Sequence, residues 1–185
     1  MNGLRILKTA EEIRKRVAEL GAQITADYPQ NELCLVGILK GACFFLSDLA
    51  RAIQRPVRID FIGTSSYGVG KTTSGQVKLT KDLDTFVEGL DILLVEDIVD
   101  TGVTLTYLTH ILEQRKPRSL EIATLLDKPA RRLRPIRPRY VGFEIGDEFV
   151  VGYGLDFAEQ YRNLPDICVL QEASEPPAPH SMDQP

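Results

Sequence analysis

The stretch Ile92-Leu93-Leu94-Val95-Glu96-Asp97-Ile98-Val99-Asp100-Thr101-Gly102-Val103-Thr104-Leu105 decides the fold. Asp91 to Val95 is a short apolar run of the kind a buried strand uses. Two adjacent acids follow, then a third at Asp100, then Thr-Gly-Val-Thr, and then a helix over Val103 to Arg115. A strand leading through acids and a small-residue turn into a helix puts those polar groups at the carboxyl end of a parallel strand. Open α/β sheets bind their ligands there. Thr101 to Thr104 can cradle a phosphate. Gly102 admits close backbone approach, the hydroxyls donate hydrogen bonds, and the helix N-terminus offers free N–H groups and positive dipole character. The carboxylates of Glu96, Asp97 and Asp100 cannot bind that phosphate themselves. They suit ribose hydroxyls, a cation or a proton.

Working outward, Leu33 to Leu39 is a near-continuous apolar run broken only by Gly37, and it reads as a second buried strand. Lys40-Gly41 then leads into a helix over Ala42 to Gln54, and Val57 to Ile62 alternates as a strand. Further upstream, Thr9 opens a Thr-x-x-Glu capping box with Glu12. Ile13, Val17, Leu20 and Ile24 follow on one helical face, with Pro29 beyond its end. Gly63 to Gly75 holds little but Gly, Ser, Thr and Lys, which predicts a mobile loop of the length that often serves as a lid. Downstream, Leu120 to Leu126 is a strand, and Ile167 to Leu170 a last short one. Tyr140 to Ile145 and Phe149 to Gly152 read as an antiparallel pair around Gly146-Asp147. The alternation of strands and helices predicts the α/β class, with a central, mainly parallel sheet flanked by helices on both faces. Residues 1–172 form a single expected domain, and the Pro-, Ser- and Glu-rich tail 173–185 is expected to be disordered.

Composition narrows the function classes. The chain has 185 residues, 43% of them hydrophobic, which suits one domain with a sizeable core. No apolar run approaches the roughly 18 residues of a membrane span. Met1 to Thr9 has no signal-peptide h-region, so a cytoplasmic protein without membrane contact is expected. Cys34, Cys43 and Cys168 have neither metal-ligand spacing nor the even count of a disulfide framework, and are expected to be buried free thiols in a reducing compartment. The net charge of −4 argues against a dedicated nucleic-acid binder. One basic stretch runs against that balance: Arg131, Arg132, Arg134, Arg137 and Arg139. It reads as a solvated loop or a subunit contact, with an anion or nucleotide effector site as the sharper alternative.

The acid-rich segment admits other accounts. Asp100-Thr101-Gly102 matches the motif of aspartic proteases, but those are all-β and need a second copy, and this one precedes a helix. A Walker A loop is excluded because no Gly-Lys-[Ser/Thr] follows a glycine four residues earlier. Asp100 alone could cap a helix; three acids after a buried strand are too many for that role.

Val95 to Leu105 closely resembles the signature of the type I phosphoribosyltransferases, and Asp at position 100 resembles their hypoxanthine-guanine branch. Leu39-Lys40-Gly41-Ala42, Ser66-Tyr67-Gly68, Asp127-Lys128-Pro129 and the run from Val141 through Asp156 to Tyr161-Arg162 agree with that branch in order. The resemblance implies the type I fold, with a small hood and a mobile catalytic loop beside the sheet. It implies transfer of a 5-phosphoribosyl group from phosphoribosyl pyrophosphate to N9 of hypoxanthine or guanine, with release of pyrophosphate, as in purine salvage. In the family, residues matching Glu96 and Asp97 face the ribose hydroxyls, and the match of Asp100 handles the proton at purine N7. Thr101, Gly102, Val103 and Thr104 match the 5-phosphate cradle, Val103 through its backbone. Lys40 and Gly41 match the pyrophosphate loop, where the family often has a non-proline cis peptide, expected here between Leu39 and Lys40. Ser66 and Tyr67 match the catalytic loop, and Arg162 a pyrophosphate contact. Lys128 matches the donor to the purine 6-oxo group, Phe149 the stacking aromatic, and Val150 a backbone contact to the base edge. Asp156 matches a metal ligand beside the base, with Glu96 and Asp97 as further oxygen donors for Mg2+. A homodimer or homotetramer is the implied assembly. The competing class is a phosphoribosyltransferase-fold regulator that binds nucleic acid, which the retained Asp100 and the acidic charge disfavour.

Overall fold

The computed structural model describes residues 3–30, 32–66 and 77–170, without the side chain of residue 66. In chain order its elements are β1 (Leu4–Lys8), α1 (Ala10–Asp27), β2 (Leu33–Leu39), α2 (Cys43–Ala52), β3 (Val57–Ser66), β4 (Val77–Lys81), β5 (Asp91–Val99), α3 (Val103–Glu113), β6 (Ser119–Asp127), β7 (Tyr140–Glu144), β8 (Val150–Val151) and β9 (Ile167–Leu170). The capping box forms as the sequence predicts: the Glu12 N–H donates to Thr9 Oγ1 at 3.2 Å, and the Thr9 N–H donates to Glu12 Oε2 at 2.8 Å. Ile13, Val17, Leu20 and Ile24 are all buried. Gly21 sits where α1 meets the end of α2, since a Cβ there would stand 2.5 Å from that of Ala52.

Six strands form the main sheet in the order β4-β3-β2-β5-β6-β7. β2, β3, β5, β6 and β7 run parallel, and β4 closes one edge antiparallel to β3. Strand side chains alternate between faces, so β2 and β5 feed two cores. Leu33, Leu35, Leu93 and Val95 pack with α1 and α2, while Cys34, Val36, Ile92 and Leu94 pack with α3. The fold is therefore α/β with a mostly parallel central sheet, as expected.

Three details differ from the sequence reading. Tyr140 to Ile145 and Phe149 to Gly152 do not form an antiparallel pair. β7 pairs parallel with β6, placing Tyr140 opposite Ala123, and β8 pairs antiparallel with β9, placing Val150 opposite Val169. Burial separates them: Tyr140 completes the core of the main sheet, whereas β8 joins a second, three-stranded sheet of order β1-β9-β8. This small sheet is the hood. Next, residues 63–66 continue β3 rather than opening a loop; they are held by pairing with β4. The rest of the expected mobile loop, including Tyr67, and the tail 173–185 lie outside the described residues. Finally, Cys43 is exposed, while Cys34 and Cys168 are buried. Cys43 stands in the first turn of α2 on the side away from Phe45, Leu46 and Leu49, which carry that helix's packing. Among the described residues, no helix is long and apolar enough to cross a membrane.

Candidate active site

The carboxyl ends of β2, β5 and β6 lie side by side, and the hood faces them. β5 runs through the acids to Val99, so Glu96 and Asp97 belong to the strand itself and point to different surroundings. Glu96 lies beside the expected phosphate cradle. With Val99, Asp100, Thr101, Gly102 and Thr104 it lines a cavity of about 90 Å³. Gly102 takes φ +78 as the residue preceding α3, a conformation that glycine adopts without steric cost. Asp97 faces the other way, toward the loop after β2. There the peptide Leu39-Lys40 is cis, as the resemblance implied. A Cβ on Gly41 would stand 1.7 Å from Asp97 Oδ2, so any larger residue would force that carboxyl to move.

Both acids are set up electrostatically. Burial pushes the Glu96 carboxyl well above its ordinary value, and neighbouring Asp97 pushes it further. Its Oε2 is shut off from solvent without a hydrogen-bond partner among the described residues. Burial likewise raises Asp97 to about 6, against the lowering effect of the Ile98 N–H, which donates to Oδ1 at 2.7 Å, and of Arg162. A buried carboxyl left without a full set of donors is costly, which suits groups that a polyhydroxyl or cationic ligand will satisfy.

The folded protein holds the Asp97 proton to about pH 6, the unfolded chain only to about 3.8, so between those values the folded state binds more protons. Stability contributed by this group is complete below that window and is lost as pH rises through it. The Asp97→Asn variant should therefore be more stable than the parent by about 1–3 kcal/mol at pH 7, the upper figure being reduced by the carboxyl's remaining solvent contact. Thermal melts in chelator should show this gain falling through the window and shrinking to nothing below about pH 3. An equal gain at both pH values would refute the account.

The base half of the expected site is assembled from β6 and the hood. Lys128 is buried, and its Nζ donates to the Glu148 carbonyl at 2.7 Å. Phe149 is half exposed and meets Phe157 edge-on, with ring centroids 5.7 Å apart. Val150 is buried in β8. Asp156 pairs with Arg162 at 2.7 Å and also accepts the Glu159 N–H. The two expected pyrophosphate cations, Lys40 and Arg162, both reach Glu159, at 2.8 and 3.4 Å. Sequence reasoning missed Glu159. It sits at φ +62 between the similarly left-handed Ala158 and Tyr161, and such backbone settings tend to gather at functional sites. No pattern in the sequence announces them. Ser66 ends β3, and Tyr67 lies outside the described residues.

The arginine stretch is exposed over most of its length, as a solvated loop would be, with Arg131, Arg134, Arg137 and Arg139 all exposed, but part of it is also tied to the site. The Leu133 and Arg134 N–H groups donate to the Thr101 carbonyl at 2.9 and 3.1 Å, stitching the stretch to the cradle. Arg131 Nε donates to Asp100 Oδ1 at 2.8 Å, and Arg132 Nη1 donates to the Asp100 carbonyl at 3.1 Å. Arg132 also pairs with Asp127, and Arg139 pairs with Asp27 while stacking over Tyr140. The only sequence signal for this role was arginine density, which does not distinguish inward from outward pairing.

The oxygen donors suit Mg2+, which prefers such ligands and keeps several waters. Asp97 and Asp156 lie close enough for the charge of one to raise the other. Among the described residues no group of three acidic, histidine or cysteine side chains could hold a metal alone, so an ion here would also need substrate oxygens.

The phosphoribosyl transferase domain matches residues 4–158 of this chain. A central parallel strand running through acids and a glycine turn into a helix, beside a second small sheet, fits that class, and the chain belongs to the phosphoribosyltransferase family. More particularly, it is 52% identical over 169 residues to a hypoxanthine-guanine phosphoribosyltransferase of Bacillus subtilis (strain 168), covering 91% of this chain and 94% of that protein. A crystal structure of a hypoxanthine phosphoribosyltransferase from Staphylococcus aureus superposes with TM-score 0.89 at 51% identity, covering 92% of this chain and 93% of the other. The Trypanosoma cruzi hypoxanthine phosphoribosyltransferase in complex with the product IMP superposes with TM-score 0.87 at 44% identity, covering 92% and 96%.

Proposed function

We propose that this chain is a hypoxanthine-guanine phosphoribosyltransferase of purine salvage, joining a 6-oxopurine through N9 to the 5-phosphoribosyl group of phosphoribosyl pyrophosphate and releasing pyrophosphate. One observation carries the reading: the cradle Glu96 to Thr104 and the buried Lys128 open onto the same side of the sheet, because β5 and β6 are neighbours paired in parallel up to Val99 and Asp127. The C1–pyrophosphate bond breaks with its electron pair leaving on oxygen, and the base N9 forms the new bond to C1. The transition state is oxocarbenium-like, so the residues serve by placing charge. Thr101, Gly102 and Thr104 hold the 5-phosphate on the N-terminus of α3, and Glu96 and Asp97 take the ribose hydroxyls. Lys40 and Arg162 exchange Glu159 for the departing pyrophosphate. Mg2+, held by Asp156 and Asp97 together with substrate oxygens, would offset the leaving group's negative charge. Lys128 donates to the 6-oxo group and so disfavours adenine, whose amino group would face it donor to donor. Phe149 stacks on the base, and the Val150 backbone meets its edge. Asp100 handles the N7 proton. The expected setting is a cytoplasmic homodimer or homotetramer.

With Mg2+ and phosphoribosyl pyrophosphate present, hypoxanthine or guanine should be converted to the nucleotide, adenine and uracil should not, and a chelator should abolish turnover. Binding of phosphoribosyl pyrophosphate without turnover of any base would overturn the proposal. The nucleic-acid-binding alternative has no support among the relatives described above, which are named as transferases.

A further inference from the structure

Arg131 spans the mouth of the site. Its Nε donates to Asp100 Oδ1 at 2.8 Å, and its Nη1 donates to Asp147 Oδ1 and Oδ2 at 3.0 and 3.3 Å. These two carboxylates come from different parts of the fold. Asp100 follows β5 in the main sheet, whereas Asp147 lies on the link from β7 into the hood, two residues before Phe149. Three residues before Arg131, Lys128 holds the same link through the Glu148 carbonyl at 2.7 Å. The turn Pro129–Arg131 sets this spacing, with the Arg131 N–H donating to the Lys128 carbonyl at 3.1 Å. One short segment thus grips the hood link twice, and only the Arg131 grip continues to Asp100. Arg132 restrains Asp100 differently, through its main-chain carbonyl at 3.1 Å, which leaves the carboxylate's direction to Arg131.

We propose that Arg131 is a positioning residue: it fixes the Asp100 carboxylate relative to the base-carrying hood link by clamping Asp100 and Asp147 on one guanidinium. This rests on the roles proposed above for Asp100 and Phe149. Proton handling at a ring nitrogen requires that the carboxylate and the plane of the base keep a set distance, and those two groups sit on separate sheets. A planar, rigid fork can hold two carboxylates at a fixed separation, whereas a lysine ammonium supplies a point charge without that geometry. Misplacement of a catalytic group by about 1 Å can cost about 100-fold in rate, so a clamp at this position is expected to act on kcat as well as on base binding.

The test is steady-state kinetics on the full chain for Arg131→Met, Arg131→Lys, Asp147→Asn and the double variant Arg131→Met/Asp147→Asn. Arg131→Met should lower kcat roughly 10- to 100-fold and raise KM for hypoxanthine, leaving KM for phosphoribosyl pyrophosphate within about twofold. Arg131→Lys should recover little of the loss. The double variant should match Arg131→Met, because the clamp on Asp147 is already gone. Wild-type kinetics for Arg131→Met, full recovery with lysine, multiplying losses in the double variant, or equal rises in both KM values would each overturn the inference. So would a fall in hypoxanthine KM, which would make Arg131 an obstacle to entry. Asp100→Asn serves as the control: if it keeps full turnover, the role of Asp100 itself is wrong, and if it fails while Arg131→Met does not, only the clamp is wrong.

Discussion

Replacing Asp100 by asparagine is expected to lower the turnover number about 100- to 10,000-fold, the usual contribution of a general acid–base group. The substitution keeps the side chain's shape, and the new amide oxygen can still accept from Arg131 Nε, which stands 2.8 Å from Oδ1. It removes the group that takes or returns a proton. The proposed 5-phosphate cradle, residues 101–104 and the start of α3, would use backbone N–H groups and hydroxyls rather than the Asp100 carboxylate. Affinity for phosphoribosyl pyrophosphate, measured by calorimetric titration, should therefore stay within a few-fold of the parent while single-turnover nucleotide formation collapses. An unchanged turnover number would remove Asp100 from the mechanism.

The second large effect is expected at Gly154, which has φ +104 and lies where a Cβ would stand 2.1 Å from the Gly41 carbonyl oxygen. Alanine there meets two penalties, backbone strain of about 1–3 kcal/mol and a clash with main chain that cannot rotate away, typically a further 1–3 kcal/mol. At about 2–4 °C per kcal/mol for a chain of this size, the melting temperature should fall by roughly 10 °C. The clash also has a functional direction. Gly41 is pressed between Gly154 and Asp97, so the loop carrying Lys40 would have to move. KM for phosphoribosyl pyrophosphate should rise more than KM for the base. A variant with parental stability and kinetics would show that the hood does not hold that loop in place.

The parts legible in the sequence are those whose signal is local. The Thr9–Glu12 box and the Ile13, Val17, Leu20, Ile24 stripe announce α1, because cap and face lie within one helix. The apolar runs of β2 and β5 announce buried parallel strands, and the acids followed by Thr101-Gly102-Val103-Thr104 announce the cradle. The hood was not legible. β1 and β9 pair Leu4 with Leu170, and β8 has only two residues, so no window of sequence contains the partners that stabilise it. That is also why Phe149 to Gly152 read as half of a hairpin. Roles defined by pairing across the fold escaped for the same reason: that of Glu159, which engages Lys40 and Arg162, and that of Arg131, named only within the arginine stretch, which engages Asp100 and Asp147. Their chemistry is common on any surface, and only position distinguishes them. Lys128, Phe149, Asp156 and Arg162 were reached through family resemblance, since alone they read as core or surface residues.

The order in which the hood's strands occur along the chain bears on how the protein emerges from a ribosome. The strand β5, one of its two neighbours, β2, the strand β3 beyond β2 and the helix α3 all precede residue 114, whereas the other neighbour, β6, follows at Ser119–Asp127. β1 leaves the ribosome before the other described strands, yet its sheet partner among the described residues, β9, is Ile167–Leu170. Until that last strand is released, Leu4–Lys8 remains an unpaired edge, open to pairing with another nascent chain. A translation pause after β7 would therefore leave all six strands of the main sheet released while β1 still lacked β9 and β8. Such a species would carry Leu4–Lys8 as a strand open to misassembly.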